Sequence, residues 1–386
     1  MGLLTLPYGL ALGWVTGPLA ISLIQHGFYP VPATLLIAPA LSLYTWRIVP
    51  APFIDSTLSL RRWYLIGLSL AIGGMLPFAW LSPAQGTERA MTLLVGVSQA
   101  GALLLLLTVS GYMVRCVTAD RMGRAAGWYQ AGILGGQALT LIGSRALSDS
   151  AAGKITFGLQ VLGMLIGMVV CYRLPALRPA EQRTIPTTAK QALSDGRSWF
   201  RSSNGIFTTL MALSPIGIGA SAIGWNIGTQ LYAIPPDESR WLIGPLTIMA
   251  SLAGFLVGGW AADRYGRWKT WLRAGSLLAA MALFIAFCPF IHWLFEAGIG
   301  CYVFLTGCCT AAFWAIVTQA VRPRLAITKI TLLSMAMGTA AFYMRVFCGW
   351  VCDDFSFQSM LVAEALLSLI CIGIAVLLKR RWRVHG

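Results

Sequence analysis

Three charged side chains lie inside otherwise apolar stretches of the sequence: Arg47, Arg345 and Glu364. Placing a charge in an apolar environment is costly, so such residues are candidates for function. Arg47 lies near one end of its stretch, where it either extends to the surface or contacts an anionic group of a ligand. Arg345 and Glu364 fall at similar depths on successive stretches. They form either a structural ion pair or a site where Glu364 carries a proton.

Uncharged polar and aromatic residues within the apolar stretches are candidates for a substrate pathway. Asn226 and Gln230 are four residues apart, so they would share one face of a helix. The other candidates are Tyr8, Trp14, Gln99, Gln130 and Gln137. Each of these side chains could instead hydrogen-bond neighbouring helices to one another.

A polar motif between two apolar stretches is the third candidate site. Its sequence is Gly259-Trp-Ala-Ala-Asp263-Arg264-Tyr-Gly266-Arg267-Trp-Lys269. An aspartate at a helix end can accept from a neighbouring helix N-terminus and pair with arginine, while glycine permits a tight turn. Such a motif can act as a latch that holds in one state and breaks in another. We expect Asp55, Arg61 and Arg62 to form the matching part of this latch in the first half.

The composition shows which elements must position these residues. The chain has 386 residues, of which 57% are hydrophobic and 11% charged. Soluble domains are about a quarter charged, and disordered chains have few apolar residues, so both classes are excluded. We therefore predict an all-α membrane protein.

Twelve apolar stretches approach the roughly 20 residues that a membrane-spanning helix needs. In the first half they are Leu3–Leu23, Val31–Pro52, Trp63–Leu81, Met91–Val114, Ala125–Ser144 and Ile155–Tyr172. In the second half they are Gly205–Tyr232, Trp241–Ala262, Ala274–Ile291, Ala297–Val321, Ile330–Val351 and Ser359–Leu378.

The basic residues set the expected orientation. If the spans alternate, most of the 28 Lys and Arg residues fall on one side, and the other side holds Arg89, Arg145, Lys154 and Arg240. The positive-inside rule then puts both termini in the cytoplasm, and we expect a bacterial inner membrane. The net charge of +15 thus indicates a basic face against an anionic inner leaflet, not nucleic-acid binding.

Residues 173–204 are the one long polar stretch, and they divide the chain into six plus six spans. We predict an N-terminal six-helix bundle over 1–172, a cytoplasmic linker over 173–204, and a C-terminal six-helix bundle with a short basic tail over 205–386. The bundles should be pseudo-symmetric, because Pro7-Tyr8-Gly9 in span one has a counterpart in Pro215-Ile216-Gly217 in span seven. Interrupted helices at matching places indicate a central transport site.

The motif from Gly259 to Lys269 resembles the loop signature of the major facilitator superfamily, G-x-x-x-D-R-x-G-R-x-K. The first-half patch, with Pro52 and Asp55 and with Arg47 where the pattern has lysine, is similar to the AmpG-related permeases, as is the stretch from Gly123 to Gly132. That group includes muropeptide permeases, siderophore importers and acetyl-CoA transporters. The resemblance implies two six-helix bundles, alternating access, and amphipathic, often acidic cargo.

We therefore predict a secondary active transporter that takes up an amphipathic or anionic solute, such as a muropeptide, together with protons. The alternatives are a siderophore importer or another transporter or exporter of the superfamily, a transporter-like sensor, and a membrane-embedded transferase. We expect a small-molecule substrate and a monomer. We expect no enzymatic activity, cofactor or metal, because the nine cysteines are scattered and no phosphate-binding GxxxxGK[ST] motif occurs.

Overall fold

The structure, a computed structural model, describes residues 1–25, 37–38, 42–79, 87–146, 150–177, 194, 196–289, 291–321 and 325–382. Within these ranges the regular secondary structure is helical and no strand occurs. Helices satisfy their own backbone hydrogen bonds, which the interior of a bilayer requires. The predicted all-α class is confirmed.

The helices of the first half follow the predicted spans with one exception. They are α1 (Gly2–Trp14), α2 (Ala20–Gln25), α3 (Ala51–Ser56), α4 (Leu60–Met75), α5 (Glu88–Cys116), α6 (Met122–Ala146) and α7 (Ser150–Arg173). A π-helical segment, Val15–Leu19, joins α1 to α2. It contains Pro18, which has no N–H to donate and so interrupts the α-helical pattern.

The exception is the second predicted span, Val31–Pro52. Residues 26–36 and 39–41 lie outside the described ranges, and residues 43–50 form turns rather than a helix. Pro50 and Pro52 remove two N–H donors and fix two φ angles, so a helix resumes only at α3. The prediction of a continuous helix is therefore wrong over residues 43–50, and Arg47 lies in this turn segment.

The helices of the second half also follow the predicted spans. They are α8 (Ser203–Leu213), α9 (Trp225–Leu231), α10 (Pro236–Trp241), α11 (Thr247–Tyr265), α12 (Arg267–Phe287), α13 (His292–Ala320), α14 (Ala326–Asp354) and α15 (Phe357–Trp382). The predicted interruption of span seven is confirmed. Its first part, α8, ends at Leu213, and a 3-10 helix, Ala220–Gly224, leads directly into α9.

Six helical segments among the described residues are long and apolar enough to cross a bilayer. They are Glu88–Cys116, Pro236–Tyr265, Arg267–Phe287, His292–Ala320, Ala326–Asp354 and Phe357–Arg381.

The chain divides into two compact units. Unit 1 comprises Met1–Cys116, Tyr129–Leu193 and Arg322–Thr331, and unit 2 comprises Val117–Trp128, Ser194–Val321 and Leu332–Gly386. Each unit therefore contains one short segment from the other half of the sequence. About half of the predicted linker, residues 178–193 and 195, lies outside the described residues.

Glycines bring helices together inside unit 1, where α1 packs on α6. A Cβ atom at Gly136 would lie 2.6 Å from the Leu6 carbonyl oxygen, and one at Gly13 would lie 2.8 Å from the Gln137 Cα. The Thr5 hydroxyl donates to the Tyr129 carbonyl at 3.0 Å across the same contact. Small residues at these positions permit the close approach.

The core of unit 2 is rich in aromatic side chains. Tyr232 stacks on Phe295 with ring centroids 4.1 Å apart, and Trp225 packs edge-on against Tyr302 at 5.1 Å. All four side chains are buried. They fix the part of span seven that follows its interruption.

Candidate functional site

Glu364 lies on α15 with only 3% of its surface exposed. One carboxylate oxygen accepts from the Ala220 N–H at 3.0 Å and the other from the Ser221 N–H at 2.8 Å. The Tyr302 hydroxyl lies 2.8 and 2.9 Å from the two oxygens, and the Ser221 hydroxyl donates as well. The buried carboxylate is thus surrounded by hydrogen-bond donors, which is the condition for burying a charge.

The interruption of span seven creates two of these donors. Gly217 and Gly219 have φ angles of +78° and +67°, in the left-handed region that glycine adopts readily. The helix that restarts at Ala220 begins with N–H groups that have no carbonyl one turn earlier to bond. Glu364 supplies their acceptor from another helix.

Arg345 and Glu364 are not brought together. Arg345 is exposed, and no donor to Glu364 among the described residues is an arginine. The residues that do contact Glu364, Ser221 and Tyr302, were not predicted. A serine at the restart of an interrupted helix is a recognisable signal, because serine is a preferred N-terminal capping residue. Nothing in the sequence spacing indicates Tyr302.

Arg47 lies in the turn segment of unit 1, close enough to Tyr8 and Tyr129 for electrostatic interaction. Its Nε is buried and has no hydrogen-bond partner in the part of the chain that the structure describes. The Tyr8 ring lies 6.0 Å from that of Tyr44, whose hydroxyl donates to the Gln99 Oε1 at 2.9 Å. Arg47, Tyr8 and Gln99 from the predicted pathway thus belong to one cluster, and Tyr44 and Tyr129 are additions to it.

The other predicted pathway residues do not share one place. Trp14 is buried in unit 1, with its ring 5.1 Å from that of Phe78. Gln130 and Gln137 on α6 are half-buried. Asn226 and Gln230 are both exposed on one side of α9, as their spacing predicts.

Asp55 is the centre of a second polar cluster in unit 1. Its Oδ1 lies 3.0 Å from the Arg115 guanidinium, and the two side chains are 1% and 11% exposed. The same carboxylate accepts from the backbone N–H groups of Ile327 and Thr328 at 3.3 and 3.0 Å, and from the Thr328 hydroxyl at 3.1 Å. Asp55 therefore caps the N-terminus of α14, a helix from the second half of the sequence.

Asp55 lies in the connection after the second predicted span. Burial has the largest influence on the pKa of its carboxyl group. Removal from water raises the pKa of the Asp55 carboxyl above its usual 3.8, although the Thr328 N–H and the Arg115 charge both act in the opposite direction. The carboxylate is thus held at an electrostatic cost.

Asp263 forms the corresponding cluster in unit 2. It accepts from the Gly123 N–H at 2.6 Å and from the Arg124 N–H at 2.9 Å, at the N-terminus of α6. The Arg124 side chain approaches within 3.2 Å but is 54% exposed. Gly259 packs against the Gly123 backbone, so a side chain at either position would separate the two segments.

The remaining residues of the predicted latch have different positions. The Arg61 guanidinium donates to the carbonyls of Tyr172 and Leu174, and Arg62 is exposed. Asp55 therefore pairs with Arg115 rather than with either of them.

In the motif itself, Arg264 lies over the rings of Trp260 and Tyr265, 5.5 and 5.9 Å from their centroids. Gly266 has a φ of +91° at the turn between α11 and α12. Arg267 donates to Gln319 and to the Ala119 carbonyl, and Lys269 is exposed. Arg124, rather than a basic residue of the motif, pairs with Asp263.

The part of the chain that the structure describes contains no group of three or more His, Cys, Asp or Glu residues that could hold a metal ion.

A family profile matches residues 1–338, and its description is Major Facilitator Superfamily. The chain belongs to the major facilitator superfamily. Membership makes it an integral membrane protein and a secondary transporter of a small-molecule substrate, with a fold that is not enzymatic. No curated protein matches the sequence.

Solved structures of the superfamily match nearly the whole transporter. A single-residue variant of the E. coli fucose:proton symporter FucP has 13% identity and a TM-score of 0.73, with 100% of this chain and 98% of that chain covered. The proton:xylose symporter XylE has 12% identity and a TM-score of 0.67, with 97% and 94% covered. The human organic anion transporter MFSD10 (TETRAN) has 13% identity and a TM-score of 0.73, with 97% of each chain covered.

At this identity the structures establish the fold alone, and the predicted twelve-helix fold of the superfamily is confirmed. The resemblance of the transporter to AmpG-related permeases, its direction of transport and its coupling ion stay predictions.

Proposed function

We propose that the transporter takes up an anionic, amphipathic solute, of which a muropeptide is one example, in symport with protons. A ferric siderophore, and transport in the outward direction, are the competing possibilities within the same superfamily. The observation that supports the anionic class is the Arg47 cluster.

A guanidinium presents five N–H donors in a planar fork that matches a carboxylate or a phosphate. Among the described residues, no acidic side chain pairs with Arg47, and its Nε has no acceptor. A buried donor without an acceptor is unfavourable, so an anionic ligand group would relieve it. Tyr8 and Tyr44 add aromatic faces for the apolar part of the solute.

The proposal of proton coupling rests on Glu364. No basic side chain among the described residues contacts this buried carboxylate, so a proton is the simplest way to neutralise it. The fold neighbours FucP and XylE are described as proton symporters, which agrees with this role. MFSD10 is described as an organic anion transporter, which agrees with the substrate class.

In this proposal Asp55 and Asp263 act as latches during alternating access. Each accepts from the N-terminus of a helix that comes from the opposite half of the sequence, so each can hold that helix in one state and release it in another. In this proposal the transporter lies in a bacterial inner membrane with both termini on the cytoplasmic side. In that orientation the basic connections face the anionic inner leaflet.

Uptake into proteoliposomes tests the substrate and the coupling together. The panel contains an anhydro-muropeptide, a ferric siderophore and an uncharged sugar, each with and without an imposed proton gradient. We expect saturable, proton-driven uptake of an anionic member and none of the sugar. Counterflow separates transport from sensing, because a sensor would bind without exchange.

Arg47 variants test the substrate site itself. Arg47→Gln should raise the KM for the anionic substrate about tenfold or more, because a charge-assisted hydrogen bond contributes about 1.5–3 kcal/mol. Arg62→Gln is the matched control, since Arg62 is exposed in the same unit. Equal KM values for the wild type and Arg47→Gln, or equal uptake of the sugar and the anions, would contradict the proposal.

A further inference from the structure

The helical segment 220–231 depends on Glu364 for its start. The N–H groups of Ala220 and Ser221 both donate to the carboxylate, and the preceding residues are unwound from Ser214 to Gly219. Glu364 is therefore a cap supplied from α15, a different helix. Breaking this contact would leave two buried donors without acceptors.

The titratable groups facing Glu364 are Tyr302 of α13 and Cys348 of α14. Two other helices pack against α15: α8 has no ionisable residue, and the charged residues of α12 are confined to its first two turns. Among the described residues no cation balances the charge of Glu364, so dipoles alone stabilise it.

Protonation affects the donors around Glu364 differently. Hydroxyl groups of Ser221 and Tyr302 can rotate and become acceptors of the new proton. The two backbone N–H groups cannot, because a peptide N–H is a donor only. Protonation also removes the negative charge, so the N–H groups of Ala220 and Ser221 then donate to a neutral carboxyl, and these hydrogen bonds are roughly half as strong as charge-assisted ones. The cap on the segment is weakened as a result.

We propose that deprotonated Glu364 holds segment 220–231 in place, and that protonation of Glu364 releases this segment. Ser221 and Tyr302 are positioning residues that keep the carboxylate against the two amides. The inference rests on the proposed function only in taking Glu364 as the group that binds the coupling proton.

The structure provides flexible residues before the segment and exposed polar side chains on it. Gly217 and Gly219, in the left-handed region, precede the segment and can change their backbone angles more readily than other residues. Asn226 and Gln230 are exposed on the segment and would move with it. Proton binding at the buried Glu364 would in this way change the positions of Asn226 and Gln230, which a solute can contact.

Hydrogen–deuterium exchange of peptides covering 217–231 tests the inference in the full-length protein in nanodiscs. After correction for the intrinsic pH dependence, exchange in the wild type should accelerate as the pH falls. Glu364→Gln, a neutral isostere, should exchange roughly tenfold faster than the wild type at high pH and lose the pH dependence. Glu364→Asp should keep a pH dependence, since it retains a titratable carboxyl.

The positioning residues are tested with single-atom deletions. Tyr302→Phe and Ser221→Ala should each accelerate exchange in 217–231 and shift the pH at which the segment opens. Tyr64→Phe is the matched control, because the Tyr64 hydroxyl is buried and donates to the Leu4 carbonyl in unit 1. Glu296→Gln, on α13, controls for the loss of one carboxyl at another place in unit 2.

Exchange in 217–231 that is the same in the wild type and Glu364→Gln at every pH would overturn the inference. This readout needs no substrate. If the segment opens with pH while uptake is independent of the proton gradient, the proposed symport fails and the inference stands. If uptake is proton-driven but the segment does not respond, the inference fails and the symport stands.

Discussion

The Arg115 guanidinium lies 3.0 Å from the Asp55 carboxylate, and both side chains are almost fully buried in unit 1. The same carboxylate caps the N-terminus of α14. One acidic residue thus connects α3, α5 and α14. Its burial and its partners determine how substitutions and pH affect the stability of the protein.

Arg115→Gln should destabilise the protein by about 3–5 kcal/mol, because removing one partner of a buried ion pair leaves the other charge uncompensated. Arg121→Gln is the matched control. Arg121 also pairs with an aspartate, Asp120, but those side chains are 74% and 70% exposed, so solvent screens the pair and Arg121→Gln should leave the stability close to that of the wild type. Unfolding of the purified protein in mixed micelles measures both, and equal losses would contradict the assignment of a buried pair.

The contribution of Asp55 to stability should depend on pH. The pKa of Asp55 is raised in the folded protein, so the folded state binds the proton more tightly than the unfolded state does. The resulting stabilisation is complete below the unfolded pKa of 3.8, and it is lost as the pH rises through the folded pKa. The free energy of unfolding of the wild type, relative to Asp55→Asn, should therefore fall as the pH rises from 3.8. A difference that stays constant over this range, or grows, would show that the folded pKa is not raised.

Gly123→Ala should destabilise the protein, because the added Cβ would lie 2.6 Å from the Asp263 Oδ1 and would also meet the Gly259 carbonyl. Overpacking of this kind typically costs about 1–3 kcal/mol. Gly135→Ala, on the same helix with open space around it, should instead stabilise by about 0.5–1 kcal/mol through helix propensity. Thermal unfolding of the two variants should shift in opposite directions, and a shift in the same direction would refute the close contact.

Gly217→Ala should reduce stability more than Gly266→Ala. Both glycines have a positive φ, which strains alanine by about 1–3 kcal/mol. At Gly266 nothing surrounds the added atom, whereas at Gly217 it would lie 2.8 Å from the Cys309 Cβ. Side-by-side thermal unfolding distinguishes strain from collision, and similar losses would place Cys309 further from the unwound segment than the structure has it.

Sequence periodicity and charge placement were enough to predict the helical class and the interruption of span seven. They also singled out Asp55, Asp263 and Glu364, whose carboxylates accept from backbone N–H groups at helix starts in the structure. They failed where the partner of a charge had to be identified. Arg61 follows Asp55 closely in sequence, yet it caps the carbonyls of Tyr172 and Leu174, while Arg115 from another helix pairs with Asp55.

The same limit explains the prediction for Glu364. The prediction paired Arg345 with Glu364 because the two residues lie at similar depths on successive helices. Depth does not determine which way a side chain faces, and Arg345 is exposed. Glu364 is satisfied by backbone N–H groups that are free only because span seven unwinds. Backbone donors carry no signature in residue type, so no count of charged residues could have indicated them.

The exchange of short segments between the two units has a consequence for synthesis. Thr328 is made 273 residues after Asp55, the carboxylate that it donates to. At roughly 5–20 residues per second, the ribosome needs tens of seconds to cover that distance. During this interval the first half of the chain already lies in the membrane with Asp55 uncapped, so unit 1 can complete its fold only after most of the second half has been translated.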